Sequence, residues 1–187
     1  MSNSEMYNGF SLIIIGYNVG STLKRCLESV AKINYPNFEV IYVDDGSTDN
    51  SVQVAKEHWG NLRIITKNNG GIISARKEGL SVSKCDYVVF IDGDDFVDSN
   101  ILNVFNEILL SDSNNLDIVL SGFFYEIQIG KFSTIKMNSE KTKLINREYL
   151  DLILLDKIPH YMFAKCFKRE FLIKSGYLSL ANISMAE

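Results

Sequence analysis

No apolar run in this chain approaches the roughly 20 residues that cross a bilayer, so no segment reads as a transmembrane helix. The N-terminus, Met1 to Gly9, is polar and lacks the basic-then-apolar order of a secretory signal. Histidine is nearly absent. His58 and His160 stand alone, outside any metal-ligand spacing, and both read as structural. Cys26, Cys85 and Cys166 are odd in number and far apart, which excludes a disulfide framework or a thiolate zinc site. They read as reduced thiols in a cytosolic setting. Charge of one sign is missing too. With 19 basic and 23 acidic residues the net charge is only -4, which offers no electrostatic grip on nucleic acid. No repeat, low-complexity tract or compositional break marks a linker.

What is present is a core-forming composition, 46% hydrophobic over 187 residues, and two acidic stretches that each follow an apolar run. Val40-Ile41-Tyr42-Val43 leads into Asp44-Asp45-Gly46-Ser47-Thr48-Asp49. Tyr87-Val88-Val89-Phe90-Ile91 leads into Asp92-Gly93-Asp94-Asp95. Continuous apolar runs read as buried parallel strands, and ligands of open α/β sheets gather at strand carboxyl ends. Carboxylates crowded there repel one another unless a cation lies between them. The two motifs point to an enzyme that holds a nucleotide and a divalent metal on one sheet edge.

The rest of the first hundred residues keeps that rhythm. Strands are expected at Ser11–Ile15, Phe38–Val43, Leu62–Ile65 and Asp86–Ile91. Helices are expected after Ser21 or Thr22, from about Asp49, through Ala75 and Leu80, and from Ser99. Such alternation implies right-handed βαβ units and a mainly parallel sheet. Beyond it, Asp117–Ile129 is β-prone, Gly130 turns, Phe132–Met137 returns as a hairpin strand, and Asn146–Leu155 is helical. Tyr161, Phe163, Phe167 and Phe171 read as core aromatics.

Each motif has a plainer reading. The Asp44–Asp49 stretch also serves as a polar turn, with Asp49 capping the next helix. Arg76, about one turn into its helix after Asn69-Gly70-Gly71, is by itself a surface cation. Near acidic clusters it can bind a phosphate or steady an aspartate. Tyr17 is either strand-end packing or a flat face for a nucleobase. The Asp-x-Asp spacing of Asp92 and Asp94 lets one carboxylate reach a metal and the other a ribose or a metal-bound water.

Taken together, Ser11–Asn18, Leu23–Val30, Asp44–Asp49, Asn69–Leu80 and Asp92–Asp95 resemble the family 2 glycosyltransferases, inverting enzymes of the GT-A fold. The resemblance spans Phe10 to about Leu110. It implies an α/β, Rossmann-like, mainly parallel sheet flanked by helices. It makes residues 1–187 one catalytic domain, with 10–110 as the donor-nucleotide half and 111–187 opening the acceptor half. It implies that Tyr17 packs on the nucleobase, that Asp45 contacts the base, and that Ile15 and Arg76 lie by the donor nucleotide. Asp92 would meet the ribose and Asp94 would bind Mn2+ or Mg2+. The partners implied are a nucleotide-diphosphate sugar and a glycan or lipid-linked acceptor. The setting implied is bacterial surface polysaccharide assembly, in the cytoplasm at the inner membrane face.

Two departures stand out. Ile15-Gly16 replaces the Pro-Thr or Pro-Ala that often precedes Tyr-Asn, which predicts a looser loop. The family's catalytic base lies in a Glu-Asp pair, and Asn182–Glu187 is similar to the approach to it. The base is expected just after Glu187 in a longer chain, with Glu187 or Asp156 the candidates inside this one. Lys165-Cys166-Phe167-Lys168-Arg169 is similar to a Lys-Leu-Tyr-Arg-Arg stretch of capsule and cell-wall members. Two other readings remain open at this point. Phe90-Ile91-Asp92-Gly93-Asp94 also resembles the nucleophile loop of haloacid dehalogenase-type phosphatases, although Phe96 stands where that loop has Thr or Val. The chain also fits a non-catalytic nucleotide-binding module.

Overall fold

In a computed structural model, residues 7–59, 62–111, 116–128, 131–135 and 162–179 are described. The chain divides into two compact units, residues 1–119 with 165–187, and residues 120–164.

The first unit carries the sheet. Its strands are β1 (Phe10–Gly16), β2 (Phe38–Asp44), β3 (Arg63–Thr66), β4 (Tyr87–Asp92) and, late in the chain, β8 (Lys165–Lys168). With β5 (Ile118–Leu120) they form a six-stranded sheet in the order β3-β2-β1-β4-β8-β5. The first four are parallel, with Leu12 opposite both Val40 and Val89. β8 joins β4 antiparallel, pairing Cys166 with Val89. The expected α/β architecture and mainly parallel sheet are therefore present. β1 is buried along its whole length and β4 up to Ile91, which is why neither shows a two-residue alternation.

Helices cover both faces. α1 (Leu23–Val30) buries Leu23, Cys26, Leu27 and Val30, one stripe at helical spacing. With Val54 and Ala55 of α2 (Ser51–His58) and Leu102, Phe105 and Leu109 of α4 (Ile101–Ser111), it packs on Leu12, Ile14, Val89 and Ile91. α3 (Gly71–Val82) covers the other face. There a Cβ on Gly79 would stand 2.3 Å from Cγ2 of Ile13, so this glycine lets the helix backbone approach the sheet. His58 Nδ1–H donates to Val54 O over 2.9 Å within its own helix, in keeping with a structural role. His160, Tyr161, Asp156, the Asn146–Leu155 helix and Asn182–Glu187 lie outside the described residues.

In the second unit, β6 (Phe123–Gln128) and β7 (Lys131–Ile135) form an antiparallel hairpin with Phe123 opposite Ile135. The expected hairpin is present, although Gly130 and Met137 lie outside the described residues. The single β-prone stretch over Asp117–Ile129 is instead two strands. It breaks at Ser121-Gly122, where the Ser121 N–H donates to Ala164 O. Among the described residues no helix is long and apolar enough to cross a membrane.

Candidate functional site

The carboxyl ends of β1, β2 and β4 are neighbours in register. Gly16 lies opposite Asp44, and Ile15 opposite Asp92. Main-chain bonds continue past the strand ends: Asp45 N–H donates to Gly16 O (2.9 Å) and Gly93 N–H to Ile15 O (2.8 Å). Residues far apart in sequence, Tyr17, Asp45, Asp92 and Asp94, are thus brought to one edge. Ile15 sits beneath it, with a buried side chain and its carbonyl on Gly93.

The loop bearing Tyr17 is held from the side. Asn18, in the left-handed region at φ 54°, donates its N–H to Ser47 Oγ (2.9 Å) and accepts the Thr48 N–H on Oδ1 (2.8 Å). Val19 N–H donates to Ser51 Oγ, and Gly20 N–H to Asp49 Oδ2, each over 2.9 Å. Asp49 also accepts the Ser51 N–H (2.9 Å) and the Ser51 hydroxyl. The loop is therefore not loose at Ile15-Gly16. A Cβ on Gly16 would meet Val19 Cγ2 at 2.4 Å, so the glycine is there for close packing. Tyr17 is left 46% exposed, with its ring available to a flat ligand.

Asp49 is not the simple helix cap expected from sequence. Asn50 occupies the N-cap position of α2 without a side-chain cap, and Asp49 straps Gly20 to Ser51. Burial pushes its carboxyl up, but hydrogen bonds from Ser51 and Gly20 outweigh that and hold it below the usual carboxylate range. The strap is complete at neutral pH and is lost as pH falls through that lowered value. Asp49→Ala is expected to cost about 1 kcal/mol in urea unfolding and to speed amide exchange at Gly20. Unchanged protection at Gly20 would count against the strap. Of Ser21 and Thr22, the two expected caps of α1, Thr22 holds the N-cap position without a side-chain cap, and its hydroxyl shares its proton between Val19 O (3.2 Å) and Gly93 O (3.3 Å), tying that loop to the acidic turn.

Asp45 is buried at 4% exposure and faces the start of α3. Its Oδ2 accepts the Gly71 N–H (2.7 Å), both oxygens share the Gly70 N–H (3.1 and 3.3 Å), and Oδ1 receives Lys67 Nζ (2.6 Å). A carboxylate at the N-terminus of a twelve-residue helix also meets the positive end of its dipole. Gly71 has φ 82°, which a side chain would strain. Asp44, beside it, is equally buried and accepts from Ser47 N–H (3.0 Å) and the Tyr42 hydroxyl (3.3 Å). It holds the turn and faces away from solvent.

At the third strand end, Arg76 Nη2 donates to Asp92 Oδ1 over 3.0 Å. Arg76 is only 8% exposed, so the surface-cation reading gives way to an aspartate-steadying one. Its guanidinium carbon lies 5.8 Å from the Phe90 ring centroid, and its charge reaches the Tyr177 hydroxyl. Its Nε is buried with no partner among the described residues. Lys165, at the start of β8, is buried close enough to feel Arg76. Burial first, and then that like charge, lower its ammonium to about 8.

Beyond Asp92 the turn is crowded with negative charge. Partial burial, followed by repulsion from Asp92 and Asp94, raises the Asp95 carboxyl to about 6. The same three aspartates, after burial itself, push the Cys26 thiol beneath them up to about 12. Asp94 is exposed, and neither it nor Asp92 Oδ2 has a hydrogen-bond partner among the described residues. Hard oxygen donors with uncompensated charge suit Mg2+ or Mn2+. Such ions are often held by one or two carboxylates together with substrate phosphates. No cluster of three or more protein ligands occurs among the described residues, so the phosphates would have to complete this shell.

Sequence reasoning singled out Tyr17, Asp45, Arg76, Asp92 and Asp94, and the fold gathers all five at the edge. It assigned no role to Lys67, Lys165 or Tyr177. The signal for Lys67 was its place just ahead of Asn68-Asn69-Gly70-Gly71. Lys165 and Tyr177 reach Arg76 only through the antiparallel return of β8, which no local pattern announces.

The family model for glycosyl transferase family 2 matches residues 11–174. The chain belongs to this family. It is 28% identical over 183 residues to the uncharacterized glycosyltransferase EpsJ of Bacillus subtilis, covering 95% of this chain and 53% of EpsJ. The chain thus spans about half the length of that curated relative. Among solved structures it is similar to S. aureus TarS 1–349 in complex with UDP. The TM-score is 0.72 at 24% identity, covering 89% of this chain and 48% of the other. It is also similar to the mannosyltransferase PcManGT from Pyrobaculum calidifontis in complex with GDP-Man and Mn2+. There the TM-score is 0.65 at 17% identity, covering 91% and 47%. These likenesses give the GT-A fold, as the sequence led one to expect. Nothing favours the phosphatase reading.

Proposed function

We propose that this chain is the donor-binding part of a metal-dependent inverting glycosyltransferase acting in surface polysaccharide assembly. It would take a nucleotide-diphosphate sugar and pass the sugar to a hydroxyl of a glycan or lipid-linked acceptor. The observation that carries this is the convergence at one sheet edge of an exposed Tyr17, a caged Asp45, and the Arg76–Asp92 pair beside the exposed Asp94. TarS with UDP and PcManGT with GDP-Man and Mn2+ support it by fold.

In this reading Tyr17 stacks on the base and Asp45 accepts from it. Arg76 fixes one oxygen of Asp92 and leaves the other for a ribose hydroxyl or the metal. Asp94 and Asp92 would hold a divalent ion, whose charge offsets that of a diphosphate leaving group. The setting is a cytoplasmic one at the inner face of the membrane. Calorimetry tests the site: UDP or GDP is expected to bind with Mn2+ and far more weakly after EDTA treatment. Equal binding after EDTA would remove the metal from the argument.

A further inference from the structure

The hydrogen bonds around Asp45 can be counted out. An ionised carboxylate has about four acceptor positions. Three protons serve them: Lys67 Nζ on Oδ1, the Gly71 N–H on Oδ2, and the Gly70 N–H split between both oxygens at 3.1 and 3.3 Å, which leaves capacity for one more donor. The Lys67 ammonium has three protons. One goes to Asp45 Oδ1 and one to Asn68 O, each over 2.6 Å, which leaves one without a partner among the described residues. The side chains are 20% and 5% exposed for Lys67 and Asp45, so what remains is a single donor beside a single acceptor. The cage is fitted to this lysine. A Cβ on Gly70 would stand 2.9 Å from Lys67 Nζ.

We propose that Lys67 is a specificity determinant for the nucleobase, acting with Asp45. This rests on the donor-binding reading above, in which Asp45 accepts from the base; the donor it would meet is a ring N–H. Lys67 fixes the orientation of Asp45 and gives its remaining proton to the carbonyl beside that nitrogen. Uracil and guanine present a ring N–H next to a carbonyl and satisfy both groups. Uracil does so with a carbonyl on either side. Cytosine and adenine present a ring-nitrogen lone pair there, which opposes the carboxylate and leaves its last acceptor position unfilled. Leaving a buried polar group unpaired is what makes such discrimination large.

The test is calorimetry with Mn2+ and UDP, GDP, CDP and ADP, on the wild type and Lys67→Met. The wild type should prefer UDP or GDP by about 10-fold or more. Lys67→Met should weaken the preferred nucleotide roughly 10-fold and narrow the gap to CDP and ADP, while Lys67→Arg recovers part of both. A Lys67→Met protein that keeps both affinity and preference overturns the proposal, as does a wild type that binds all four alike. Thermal unfolding shows whether Lys67→Met is folded. If it is not, the wild type alone decides, through analogues with sulfur replacing each carbonyl beside the ring N–H in turn. One of them should lose several-fold, and equal binding of all analogues overturns the assignment. A wild type that binds none of the four nucleotides sinks the donor-site reading itself and this proposal with it.

Discussion

Asp94→Asn is expected to weaken Mn2+-dependent nucleotide binding by on the order of 100-fold without lowering the melting temperature. Asp94 is exposed and has no protein partner among the described residues, so its removal breaks nothing in the fold. Its charge adds to the repulsion that lifts the Asp95 carboxyl to about 6, so neutralising it relieves the turn. A residue that strains the free protein and is needed with the metal has its value in the bound state. Asp49→Asn should behave in the opposite way, with some stability lost and metal dependence kept, because among the described residues the Asp49 side chain bonds to Gly20 and Ser51. Calorimetry with and without Mn2+, beside thermal unfolding, separates the two. If Asp49→Asn abolished metal-dependent binding while Asp94→Asn left it intact, the roles of the two residues would be reversed.

Gly79→Ala is expected to destabilise the protein by about 2 kcal/mol, although alanine is the better helix former by about 1 kcal/mol. The new Cβ would lie 2.3 Å from Ile13 Cγ2 and 3.3 Å from Val43 Cγ2. Ile13 is fully buried and β-branched, so its methyl has no open rotamer to move into. α3 must lift off the sheet instead. Arg76 is one turn earlier on the same buried side, so its 3.0 Å bond to Asp92 should lengthen and nucleotide affinity should fall with stability. Urea unfolding of the variant gives the first quantity and calorimetry the second. A variant as stable as the wild type would mean that the helix tolerates the methyl and that Gly79 is not the point of closest approach.

The strands could be read from sequence because burial on both faces leaves an unbroken apolar signature. β1 and β4 were located to within a residue or two at each end. The acidic turns could be read because charge at the end of such a strand is costly without a purpose. Other features had no local signature. Asp49 looks like a cap because Asp before a helix usually is one. Only the fold brings Gly20 to its second oxygen. The break at Ser121-Gly122 depends on Ala164, 43 residues away. Lys67 and Lys165 are ordinary lysines by composition, and lysine is solvated by default. Their partners are set by the approach of α3 to β2 and by the register of β8 on β4, which are tertiary facts.

The place of β8 in the sheet also bears on how the chain is made. β4 ends at Asp92, and its second neighbour begins only at Lys165. As the chain leaves the ribosome, β1, β2, β3 and β4 can associate first, since all four are synthesised before β8. For the time it takes to synthesise everything between Asp92 and Lys165, the Tyr87-Val88-Val89-Phe90-Ile91 segment is the outer strand of a half-built sheet. It then presents unpaired N–H and C=O groups beside some of the most apolar side chains in the protein. Edge-to-edge association of nascent chains would begin there, and the return of Lys165–Lys168 ends the exposure.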